Sequence, residues 1–183
     1  MPAGLWTVSG SVPRDSQRSR VYAAEQFVRT LFDRAAERGT PAIDFFGTQL
    51  TLPPESRFAS VDSVRRYVDD VLGLPSVRAR WPAAGSLTVR GRRGVTAAHY
   101  EYDGSLATIA VPDRQTTWAL RELVVLHEVA HHLCRAEPPH GPEFVAAFCE
   151  LADAVMGPEV GHVLRVVYAK EGVKEGVRKE EPD

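Results

Sequence analysis

The run His127-Glu128-Val129-Ala130-His131 is where residue types and spacing in this chain most directly imply chemistry. On a helix, histidines four apart sit about one turn from each other on one face, so both imidazoles reach a single metal ion. Glu128 then projects about 100° round the helix. It is left free to take a proton from a water bound to that metal. This is the ligand, base, ligand logic by which HExxH serves zinc hydrolases.

A tetrahedral zinc that keeps water in its fourth position needs a third protein ligand. His140 follows His131 after eight intervening residues, behind Pro138-Pro139 and directly before Gly141-Pro142, so the chain can fold back and present it from the start of the next helix. It is the first choice. Glu150, which follows His131 after 18 intervening residues, is the rival, because that count matches the HExxH-x18-E pattern of gluzincin peptidases. On a helix from Pro142, however, Phe144, Phe148, Leu151 and Val155 define the apolar face, and Glu150 lies about 120° away with Glu143 and Ala147. Glu150 is expected to be solvated.

Hydrophobic periodicity outlines the elements that must hold these groups. TWALRELVVLHEVAHHLC reads as a buried helix of about 18 residues capped by Thr116 or Thr117, where two histidines and a glutamate are poor core filling. Pro142 suits the first position of a helix to about Met156, and Gly157-Pro158 separates a final helix to about Tyr168. Upstream, Val21, Ala24, Phe27, Val28, Leu31, Phe32 and Ala35 recur at helical spacing between Asp15 and about Arg38, stopped by Gly39 and Pro41. A second amphipathic helix spans about Ser60 to Leu72, and Ile43 to Leu52 reads as a strand or bent hairpin. Three strand-like runs, Ser86 to Arg90, Val95 to Tyr102 and Leu106 to Val111, are separated by turn signals, so an antiparallel meander is the economical arrangement. The expected fold is α+β, a small antiparallel sheet packed with helices. A single domain over 14–169 would lie between a flexible leader (1–13) and a charged, disordered tail (170–183).

Composition narrows the function classes. The 183 residues carry 22 Lys and Arg against 24 acids, a formal charge of -2, which argues against a dedicated binder of nucleic acid or anionic membrane. Two cysteines, Cys134 and Cys149, make no disulfide scaffold, the first twenty residues hold no signal-like apolar run, and no stretch approaches a membrane span. A reduced, soluble, cytoplasmic protein is expected.

Other candidates have blander readings. His132 is expected beside the ligand face as a supporting or surface residue, His99 as an ordinary strand residue, and Cys134 as small core filler. Tyr168 and His162 on the last helix could donate to an oxyanion, although packing explains the tyrosine well. Arg78, Arg80, Arg90, Arg92 and Arg93 cluster around the first strand, but with only Trp81 for stacking a solvated hairpin is preferred over a nucleic-acid surface.

HEVAHHLC followed by HGPEF resembles the HExxH…HGxxF pattern of the SprT-like and WLM-type minimal zinc metallopeptidases. The wider chain, including RDSQRSRVYAAE and WALRELVVLHEVAHHL, is similar to a small actinobacterial family of metallohydrolases. The resemblance implies zinc (Zn2+) on His127, His131 and His140, Glu128 as catalytic base on a zincin-like active-site helix, and an aromatic that packs the ligand-bearing turn. It also implies that the strand Leu106 to Val111 is the edge along which an extended substrate pairs. Without zinc-ribbon cysteines or a DNA-binding extension, DNA-linked proteolysis is not carried over with the motif. The expected function is a zinc metallopeptidase acting on peptides or proteins. The alternatives are a hydrolase of a non-peptide amide or ester, and a zinc-stabilised binding module whose Arg-rich hairpin contacts nucleic acid or an acidic protein.

Overall fold

The computed structural model describes residues 13–94, 97–113 and 120–176. The leader up to residue 12, the proposed caps Thr116 and Thr117 and the last seven residues lie outside them. The fold is α+β. In chain order the elements are α1 (Arg18–Arg38), β1 (Ala42–Phe45), β2 (Thr48–Thr51), α2 (Val61–Gly73), α3 (Pro75–Arg80), β3 (Leu87–Arg92), β4 (His99–Tyr102), β5 (Ala107–Pro112), α4 (Glu122–Leu133), α5 (Pro142–Val155) and α6 (Pro158–Lys170).

α1 buries Val21, Ala24, Val28, Leu31 and Phe32 and ends where Gly39 adopts a left-handed conformation. Phe27, expected inward, instead points out and stacks on Phe46 at the tip of the β1–β2 hairpin. That hairpin answers the strand-or-hairpin reading of 43–52. α2 opens with a reciprocal capping pair between Ser60 and Ser63 and buries Val64, Val68 and Val71. Pro75, expected as a stop signal, opens α3 as its first residue.

The three downstream strands are not a meander. They form a mixed sheet in the order β3-β5-β4, with β3 parallel to β5 and β4 antiparallel to it. Strand composition accounts for this. Every residue of β5 is buried, whereas β3 alternates inward and outward over its first four residues. A strand apolar on both faces belongs in the middle of a sheet. Leu106 to Val111 therefore cannot be the substrate-pairing edge, because both of its sides are taken; β4 is an edge strand.

α4 begins later than its apolar pattern suggests. Arg121 is extended, bridges backbone to backbone with Arg57, and buries a guanidinium that pairs with Glu55 and Asp33. Glu55 Oε1 also accepts the amide of Leu123 in the first turn, satisfying a helix N-terminus from a distant segment. One apolar core joins the elements, with Val28 of α1, Ile109 of β5, Leu123 and Leu126 of α4, Phe148 of α5 and Leu164 of α6 among its fully enclosed members.

The segment after α6 is docked for its first residues, where a loose tail was expected. Val173 is buried, the Gly176 amide donates to Pro142 O, and Gln17 takes the Lys174 amide on its Oε1 at 2.6 Å. Among the described residues no helix is long and apolar enough to cross a membrane.

Candidate metal centre

α4 carries His127 and His131 on one face, and their Nε2 atoms lie 3.1 Å apart. At that separation one ring nitrogen can donate to the other, or both can turn their lone pairs to a shared cation. The loop between α4 and α5 brings His140 to the same place, so that the potential ligand atoms of His127, His131 and His140 lie within 4.8 Å of one another. Gly141 makes this turn possible: a Cβ there would sit 2.9 Å from the Pro138 carbonyl oxygen. Glu150 is turned away and pairs with Arg80 on α3, which removes the rival third ligand.

Two of the three rings are held from behind. His127 Nδ1 donates to both oxygens of Glu25, at 2.9 and 3.0 Å, and His140 Nδ1 donates to Asp15 Oδ2 at 2.7 Å. A carboxylate can only accept, so these bonds protonate Nδ1 and leave the Nε2 lone pairs of the neutral rings for a cation. Phe144 packs against all three rings, with centroids 4.2 Å from His131, 4.9 Å from His127 and 5.2 Å from His140. This is the aromatic of the HGxxF segment.

The electrostatics favour the neutral, ligating form of His131 and His140. Burial, together with the neighbouring His127 and His140, pushes His131 down to about 2, and burial lowers His140 as well, against the pull of Asp15. For His127, burial works against protonation but the charge and hydrogen bond of Glu25 prevail and raise it. His140 Nε2 is the telling atom. It is buried, faces the other two rings and has no hydrogen-bond partner. A buried polar atom left unmatched costs about 1–3 kcal/mol. A soft-to-borderline cation bound by nitrogen donors would satisfy it, so the residues present fit a metal ion.

Glu128 lies off the ligand face, as the helical geometry requires. Its Oε2 accepts the Tyr100 amide of β4 at 2.7 Å, and burial pushes its carboxyl up to about 7, with the charge of His127 and the Tyr100 amide opposing. A cleft of about 540 Å³ between α1 and α4 reaches it, lined by Tyr22, Glu25, Arg29, Ala98, His127 and Glu128. The Tyr22 ring stacks on His127 at 5.5 Å and tilts against His140 at 5.1 Å, and the residue is 40 % exposed.

The other candidates lie outside this three-histidine cluster. His132 is buried with Nε2 2.8 Å from Gly85 O, a structural contact. His99 sits between Arg92 and Glu101 on β4. Tyr168 is enclosed and donates to Glu25 at 2.8 Å, so it supports a ligand and faces no cleft, while exposed His162 lies against Phe45. Cys134 caps the end of α4. The arginine cluster is no hairpin: Arg78 and Arg80 lie on α3 and Arg90 and Arg92 on β3, with Arg80 and Arg90 paired to Glu150 and Glu101.

Sequence reasoning missed Glu25, Asp15 and Tyr22. Glu25 had a signal, since it stands on the apolar stripe Val21, Ala24, Val28 of α1, where a carboxylate needs a buried partner. Asp15 and Tyr22 had none, because their roles depend on α1 crossing the ligand face. Compared with known proteins, the chain matches no family model, no curated protein and no solved structure.

Proposed function

We propose that this protein is a zinc-dependent hydrolase of peptide bonds, with His127, His131 and His140 as the metal ligands and Glu128 as the general base. The observation that carries the reading is the buried, partnerless Nε2 of His140, turned toward two other imidazoles one helix residue away from a carboxylate that reaches a cleft. Three neutral nitrogen donors suit zinc and leave its charge undiminished.

Held there, the ion supplies Lewis acidity and makes a water acidic near neutral pH. Glu128 does the proton work. With Oε2 anchored by the Tyr100 amide, Oε1 is the atom that takes the proton from the attacking water and returns it to the departing amine. Tyr22 stands over the ligand rings in the same cleft and donates its phenol hydroxyl to the substrate carbonyl oxygen as negative charge develops there. Glu25 and Asp15 keep His127 and His140 in the ligating tautomer.

Glu128→Gln is the direct test. The variant should bind zinc with wild-type stoichiometry by elemental analysis and lose at least a hundredfold in cleavage of a quenched-fluorescence peptide library. Undiminished cleavage by the zinc-loaded variant would remove Glu128 from the chemistry.

A further inference from the structure

The cleft does not end at the ligand rings. α1 lays Arg18, Tyr22, Glu25 and Arg29 along its wall at intervals of about one turn. Arg29 is only 8 % exposed, and burial lowers its pKa against the raising effect of Glu25. Its Nη2 donates to Gln26 Oε1 at 2.8 Å, while Nη1 lies 4.0 Å from Glu25 Oε2, beyond hydrogen-bond distance. Glu25 is oriented by other partners, with Oε1 accepting from His127 and Tyr168 and Oε2 accepting from His127, which leaves Arg29 beyond its hydrogen-bond reach. Among the described residues the buried side-chain nitrogens and oxygens without partners are Asp15 Oδ1 and His140 Nε2. Arg29 Nε and Nη1 are not among them, so these donors are not sealed off without a partner, and Arg29 lines the cleft. Arg18 stands near Tyr22, its guanidinium 5.7 Å from the ring centroid. The two guanidinium groups offset Glu25 and Glu128, and a divalent cation on the histidines then leaves the cleft positive.

Resting on the metallopeptidase reading above, we propose that the arm of the cleft running from His127 and Glu128 to Arg29 is a subsite for a carboxylate of the substrate, bound by Arg29 with Arg18 at the outer end. A guanidinium with free donors on one side takes a carboxylate in a planar, two-point grip. Spacing sets the reach. Tyr22, which packs on the ligand rings, precedes Arg29 by seven residues, roughly 10 Å along a helix axis. An extended peptide advances roughly 3.3–3.6 Å per residue, so the carboxylate lies about two to three residues from the bond that is cut. It is either the terminus of a short peptide or an acidic side chain.

Calorimetry on the zinc-loaded full chain tests this with hydroxamates, which anchor on the metal. Suberic acid monohydroxamate should bind at least tenfold tighter than its methyl ester, and Arg29→Gln should erase that preference while leaving acetohydroxamate affinity within twofold. Arg18→Gln, an exposed change, should reduce the preference; if Arg29→Gln fails to fold, the wild-type acid-to-ester ratio together with Arg18→Gln decides. Hydroxamates of succinyl-alanine as free acid, of succinyl-alanine amide and of succinyl-glutamate α-amide separate the sources. Tightest binding by the first assigns a chain terminus, tightest binding by the last an acidic side chain. Acetohydroxamate binding with acid and ester indistinguishable would overturn the subsite alone. No binding of acetohydroxamate would overturn the metal-centre reading and the subsite with it.

Discussion

Carboxylates set the tautomers of His127 and His140 at the candidate centre, and His131 has no such partner among the described residues. Glu25 and Asp15 each occupy the Nδ1 side of a histidine and turn its Nε2 toward a shared point. His140→Ala should therefore lower zinc affinity far more than Glu150→Ala, whose side chain serves a salt bridge to Arg80; competition with a chromogenic chelator measures both. Glu25→Ala should cost about 10–100-fold in zinc affinity, the usual effect of removing a group that orients a ligand. It should also destabilise the protein, because His127 Nδ1 and the Tyr168 hydroxyl would lose their buried acceptor. Tyr22→Phe removes only a hydroxyl and should keep zinc affinity while lowering kcat about 10–100-fold; an unchanged kcat on the peptide library would exclude the phenol from the reaction.

The position of α4 matters as much as the residues on it. Its start is fixed by Arg121, extended and buried, and by Glu55, which pairs with that guanidinium and receives the Leu123 amide. Removing one partner of such a pair strands the other in a low-dielectric setting, so Arg121→Ala should destabilise by about 3–5 kcal/mol in urea unfolding. The loop that delivers His140 has its own device in Gly141. Gly141→Ala would bring a Cβ against backbone at Pro138, and the required shift should weaken zinc binding while leaving the helical circular dichroism intact. At the sheet, the order β3-β5-β4 makes β4 an edge and turns the Tyr100 amide toward Glu128, so this strand holds the Glu128 carboxylate in place. The continuous apolar run of β5 signalled a central strand, but the tight Asp103-Gly104 turn drew attention to the β4–β5 hairpin and concealed the parallel pairing of β5 with β3.

For the whole molecule, the apolar core extends through elements remote from the histidines, and the fold is therefore expected to survive removal of a bound metal. Chelation of the zinc-loaded protein should lower its stability by about 4 kcal/mol if free zinc had stood at a thousand times its Kd, since a ligand that binds only the folded state stabilises it by mass action. A chain that unfolds completely on chelation at 25 °C would favour a structural metal over a catalytic one. Local rules in the sequence determined the α+β class, the helices that bear His127, His131 and the turn to His140, and the separation of Glu128 from its neighbours, because helical periodicity operates within a few residues. Tertiary packing alone decided that Glu25 and Asp15 stand behind the ligand rings, that Tyr22, Arg18 and Arg29 wall the cleft, that Glu150 is spent on Arg80 and that β5 lies between β3 and β4. Those outcomes depend on contacts between segments up to 125 residues apart in sequence, and periodicity marks at most that a residue such as Glu25 is buried, never which distant group it meets.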